Sequence, residues 1–119
     1  MAVRAPILQQ QNRLIASIQE DLSDKEILDL QHRILDRVVR NDISGVIVDV
    51  SAMDVLDSFS SRTLSEIAQA VQLRGAKLVL VGIQPEVAMA LVLLGLNLLG
   101  VETALDLDRG LAKLERLAS

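Results

Sequence analysis

The chain has 119 residues, 50% of them apolar, which suits one compact domain with a buried core and is too short for two. It has no cysteine, one histidine (His32) and a formal net charge of −4 without any basic run. That composition excludes a disulfide framework, a thiolate nucleophile and a Cys- or His-rich metal site, and it disfavours a surface that tracks nucleic-acid phosphates. Phe59 is the single aromatic residue, so the core must be built from Leu, Ile, Val and Ala.

Met1 to Pro6 lack the continuous apolar stretch of a signal peptide, and a cytoplasmic location is expected. Two short segments, 7–10 and 14–19, flank Gln11-Asn12-Arg13 and read as a hairpin. Ser23 followed by Glu26 is a capping box, and Ile27, Leu30, Ile34 and Val38 recur at helical spacing, which predicts a helix over 24–40. Gly45 precedes Val46-Ile47-Val48-Asp49-Val50, a β-branched run with little polar alternation, as expected for a central parallel strand covered on both faces.

Leu64, Ile67, Ala68 and Val71 mark one face of a second helix that Gly75 would end, and residues 77–82 then form a second buried strand. Pro85 suits the first turn of a third helix and Gly95 its end. The apolar segment 87–101 falls short of the roughly 20 residues that span a bilayer. It reads as a buried helix and packed loop that leave an aliphatic patch for a protein contact. A short last strand is expected between Val101 and Leu105. A final helix follows, capped by Asp106 or Asp108, with Leu107, Leu111, Leu114 and Ala118 on its apolar face.

Strands alternating with helices in the order β-β-α-β-α-β-α-β-α predict an α/β fold with a mixed, mainly parallel sheet and four helices. Functional groups in such sheets gather beyond the carboxyl ends of the strands, which here include Ser51 to Ser61. This segment concentrates hydroxyls and carboxylates between the central strand and the second helix. Ser58 stands where that helix begins, so a phosphate on it would meet free amides and the positive end of the helix dipole, beside Asp57 and Asp54. The plainer reading makes Asp57 or Ser58 a helix N-cap and nothing more. A phosphate would add about −1.5 to −2 charges next to carboxylates and disrupt an acidic or apolar contact without unfolding the domain.

Asp49-Val50-Ser51, Met53-Asp54 and Asp57-Ser58 together resemble the signature of STAS domains, the sulfate-transporter and anti-anti-sigma family. In that family the loop ends in Asp-Ser at the start of the second helix, and the serine accepts phosphate from a kinase of the GHKL type. Carried over by position, Ser58 is the phosphoacceptor and Asp57 its flanking acid. Anti-anti-sigma members follow that serine with a small residue such as Ser or Gly, whereas Phe59 follows here. Asp57-Ser58-Phe59 is similar instead to RsbS-type stressosome scaffolds, and Val81-Gly82-Ile83-Gln84-Pro85 resembles a segment shared by stressosome STAS proteins.

The resemblance covers nearly the whole chain. It implies a SpoIIAA-like fold in a single domain over 1–119, and the lack of Cys and of any evident ligand cluster predicts no catalysis and no cofactor. It also implies co-assembly with RsbR-type sensor proteins in a large complex, while the aliphatic patch predicts self-association to at least a dimer. An RsbT-type serine kinase would be held until Ser58 is phosphorylated, at a surface drawn from Asp54, Asp57, Phe59, Ser60 and Ser61. Neither nucleic acid nor membrane is expected as a partner.

Among the remaining residues, Ser60 and Ser61 are secondary candidate acceptors in the first helical turn, expected to face solvent or to cap. Phe59 reads as a core or groove residue or as a partner anchor. His32 is placed to pair with Asp29 or Asp36 on the helix surface. No G-x-S-x-G elbow, Walker loop or Rossmann glycine pattern occurs. Two alternatives compete with the scaffold reading. One is a direct anti-anti-sigma factor. The other is a response-regulator receiver, in which Asp49, Asp54 and Asp57 would hold Mg²⁺. Receivers, however, resemble one another in an acidic pair after the first strand and a lysine after the last, whereas here Gln11-Asn12-Arg13 follows the first strand and Lys77 begins one.

Overall fold

The computed structural model describes residues 4–95, 98 and 100–118. Its elements follow the expected order: β1 (Ile7–Gln10), β2 (Arg13–Ser17), α1 (Asp24–Asn41), β3 (Gly45–Asp49), α2 (Ser58–Leu73), β4 (Lys77–Val81), α3 (Pro85–Leu93), β5 (Glu102–Ala104) and α4 (Leu107–Ala118). The five strands form one sheet in sequence order, with β1 antiparallel to β2 and every later pairing parallel.

The hairpin is tighter than the sequence suggests. Arg13 belongs to β2, opposite Gln10 and beside Gly45, so the turn is Gln11-Asn12 with Gln11 at a φ of 56°. The strand also ends earlier, at Ser17, because only single backbone bonds continue beyond it, from Ile18 N to Asp49 O and from Gln19 N to Arg4 O. In α1 the capping box closes as expected: Ser23 Oγ accepts from Glu26 N at 3.2 Å and Ser23 N donates to Glu26 Oε1 at 2.9 Å. His32 makes no surface pair with its acidic neighbours, because Asp29 binds Arg33 and Asp36 binds Arg40.

Side chains alternate across the sheet and divide the core in two. Leu14, Ala16, Val46, Val48, Leu78 and Leu80 face the larger cluster, which α1, α2 and α3 cover through Ile27, Leu30, Leu64, Ile67 and Val87. Ile15, Ile47, Val79 and Val81 face the other side, where Leu114 of α4 completes a smaller cluster. β3 is accordingly covered on both faces, with Val46, Ile47 and Val48 fully buried. The inner face of α4 differs from expectation. Gly110 and Leu114 are its buried residues and Leu111 and Leu117 pack beside them, while Leu107 and Ala118 lie outside. Gly110 takes the inward position because a Cβ there would come within 2.6 Å of Val81 Cγ1, closer than any side chain permits. Asp106 is the residue that caps α4, accepting from Arg109 N at 2.9 Å.

No described helix is long and apolar enough to cross a membrane.

Candidate functional site

In the parallel part of the sheet, Ser17, Asp49, Val81 and Ala104 lie in register at the carboxyl edge. The loops that leave this edge bring together residues distant in sequence, as the topology requires. The loop over 50–57 is pinned first by two apolar plugs, Met53 and Leu56, at 2% and 5% exposure. Polar contacts fix the rest. Asp21 Oδ1 accepts from Asp54 N at 2.8 Å and Val55 N at 3.2 Å. Gln84 Nε2 donates to Ser51 O at 2.8 Å and to Asp54 Oδ1 at 3.3 Å. Asp49 Oδ1 accepts from both the backbone and the hydroxyl of Ser51, at 2.9 and 2.7 Å.

Gly82 closes this arrangement from beneath. Its φ is +80°, and an added Cβ would sit 2.8 Å from Ser51 Cβ and 3.2 Å from Asp49 Oδ1. Gly82→Ala therefore combines left-handed strain with a clash, a loss of about 1–3 kcal/mol. The expected result is a melting temperature lowered by several degrees with altered amide shifts in residues 49–55, and an unchanged melt with unchanged shifts would refute the contact.

At the end of the loop, Asp57 is the N-cap of α2: its Oδ1 accepts from Ser60 N at 2.8 Å and its carbonyl from Ser61 N at 2.9 Å. This settles which residue caps. Ser58 is the first helical residue, is exposed, and spends no hydrogen bond on the helix end. Asp54 and Asp57 are exposed beside it, and Val55 adds an apolar side chain at 59% exposure. Phe59 is half-buried and packs against the edge of the larger core.

Ser60 and Ser61 do not face solvent, contrary to the sequence expectation. They are 4% and 2% exposed, because Ser60 begins the stripe Leu64, Ile67 and Val71, and Ser61 shares the adjoining face with Ser65 and Ala68. Burial removes both from the accessible surface. The hydroxyls of Ser61 and Ser65 are buried without a hydrogen-bond partner.

Asp21, Gly82 and Gln84 were not singled out as site residues from the sequence, although Gly82 and Gln84 lie inside the segment that resembles stressosome proteins. Only the expectation that loops converge at the carboxyl edge pointed toward Asp21. Among the described residues, no three or more His, Asp or Glu side chains converge in the manner of a metal site.

Comparison with known proteins agrees with this geometry. The STAS domain family model matches residues 4–109. The structure of Moorella thermoacetica RsbS S58E is 37% identical, covers 97% of both chains and superposes with a TM-score of 0.82. A chain from the solved molecular architecture of the stressosome, a signal integration and transduction hub, is 34% identical over 95% of this chain and 98% of that one, with a TM-score of 0.74. The RsbT co-antagonist protein RsbRA of Bacillus subtilis (strain 168) is 33% identical over 82 residues, which make up 69% of this chain but only 30% of RsbRA. These likenesses displace the receiver alternative, and the chain belongs to the STAS domain family, among its RsbS-like stressosome members.

Proposed function

We propose that this protein is a non-enzymatic scaffold of a stressosome-like complex that holds an RsbT-type serine kinase and releases it when Ser58 is phosphorylated. The observation that carries the reading is the division of labour at the start of α2. Asp57 takes the capping role and leaves the hydroxyl of Ser58, the first residue of α2, exposed and uncommitted. An acceptor hydroxyl must enter a kinase active site, and one that also capped its own helix would cost about 1 kcal/mol of stability to withdraw. The names of the similar proteins supply the partner classes, since RsbRA is described as a co-antagonist of RsbT and the related stressosome is described as a signal integration hub.

Incubation with the neighbouring kinase and ATP, followed by mass-spectrometric mapping, tests the acceptor directly. Ser58→Ala is expected to abolish labelling and leave the melt unchanged. Ser61→Ala serves as the contrast. It removes a buried hydroxyl that has no partner, so stability should stay level or rise by up to about 1 kcal/mol, with labelling intact. Phosphate on Ser60 or Ser61 in the wild type would overturn the assignment.

A further inference from the structure

The loop before Ser58 is gripped by two residues that each reach it from 33 positions away, one earlier in the chain and one later. Their chemistry is complementary. Asp21 supplies an acceptor, one carboxylate oxygen that takes the N–H groups of both Asp54 and Val55. Gln84 supplies a donor, one amide nitrogen shared between the Ser51 carbonyl and the Asp54 carboxylate. Together they hold both ends of residues 51–55, a stretch outside any helix or strand.

Each grip comes from an anchored segment. Asp21 follows the backbone bonds of Ile18 to Asp49 and of Gln19 to Arg4, and it precedes Leu22, which packs on the larger core, and the Ser23 cap of α1. Gln84 is the N-cap residue of α3, yet its side chain makes no bond to that helix and turns to the loop instead. With Met53 and Leu56 buried, the loop shows Asp54 and Val55 to solvent, next to Asp57 and Ser58.

From this arrangement we infer that Asp21 and Gln84 are positioning residues for phosphorylation of Ser58, setting the shape in which the 51–55 loop meets the kinase. The role presupposes the kinase reading above and assigns its recognition step to two residues that do not touch the acceptor. A loop already in its bound shape spares the complex the entropy of ordering it, which shows as affinity. The hydroxyl itself is placed separately, because the bonds of Asp57 to Ser60 N and Ser61 N fix the start of α2. Losing a grip on the loop should therefore weaken binding and leave the transfer step alone. The fold should hardly notice, since these bonds join exposed atoms and Met53 and Leu56 keep the loop attached.

The test is steady-state phosphorylation of the full chain by the neighbouring kinase at saturating ATP, with the concentration of this protein varied. Asp21→Ala and Gln84→Glu are each expected to raise KM about 10-fold with kcat within about two-fold of wild type, the pattern of lost binding rather than lost chemistry. Gln84→Glu keeps the side chain's shape but turns an oxygen toward two acceptors. Asp21→Asn is the rescue: it removes the charge, keeps an acceptor oxygen for both N–H groups and should restore the wild-type KM. Amide exchange at Asp54 and Val55 should quicken in Asp21→Ala and not in Asp21→Asn, with all melts within a few degrees of wild type. A wild-type KM in both Asp21→Ala and Gln84→Glu overturns the inference. So does a fall in kcat alone, or an Asp21→Asn variant as poor as Asp21→Ala, which would make the Asp21 charge the active feature. Absence of Ser58 labelling in the wild type removes the kinase reading and this role together, whereas a labelled wild type with indifferent variants removes only the positioning role.

Discussion

Phosphorylation of Ser58 is expected to weaken kinase binding by about 30- to 150-fold, equivalent to a loss of 2–3 kcal/mol at the interface. The same phosphate should barely affect the fold. As the first residue of α2, Ser58 places the new charge beside amides at the positive end of a helix dipole, where an anion gains about 0.3–1 kcal/mol. That gain roughly offsets repulsion from the exposed Asp54 and Asp57. At the proposed kinase interface the cost is higher, because about −1.5 to −2 charges would have to be desolvated against the bound partner. Titration calorimetry with unmodified and phosphorylated protein measures the difference, and thermal melts of the same samples should agree within a few degrees. Ser58→Asp should reproduce part of the loss, since one carboxylate carries one charge and a different geometry. Equal affinities for the two forms would defeat the release mechanism even if Ser58 is labelled efficiently.

Much of this architecture was legible in the sequence because its strongest signals are local. The Ser23–Glu26 capping box and the periodicity of Ile27, Leu30, Ile34 and Val38 lie within α1 itself, and the β-branched run of β3 needs no neighbour to be recognised. Errors arose where position depends on pairing. Arg13 is a strand residue because Gln10 and Gly45 lie beside it, and Gly110 faces inward because the sheet leaves room for nothing larger.

The site shows the same division. Asp-Ser at a helix start was visible, but which of the two caps depends on loop geometry, and two polar residues after it looked solvent-facing until α2 was docked on its core. The contacts from Asp21 and Gln84 to the loop span about thirty residues of sequence, and no short-range pattern encodes them.

A large loss of stability should come from Leu114→Ala, in the smaller of the two cores. Leu114 is 4% exposed and is the buried side chain that α4 contributes against Ile15, Ile47, Val79 and Val81. Its Cδ1 also stands 2.9 Å from where a Cβ on Gly45 would lie, so helix and sheet are in close contact and the gap left by truncation cannot be filled by sliding α4 inward. Leu→Ala at such a site costs about 2–5 kcal/mol, a large part of the roughly 5–15 kcal/mol that stabilises a domain of this size. A fall in melting temperature of about 10–15 °C is expected. Because the larger core lies on the opposite face of the sheet, α1, α2 and the Ser58 loop keep their packing. Below the new melting temperature, Ser58 should be labelled at the wild-type rate. A shift of less than about 3 °C would mean that α4 contributes little to stability. Loss of labelling in protein that is still folded would mean that the two faces of the sheet are coupled, and the kinase surface would then have to extend beyond the carboxyl edge.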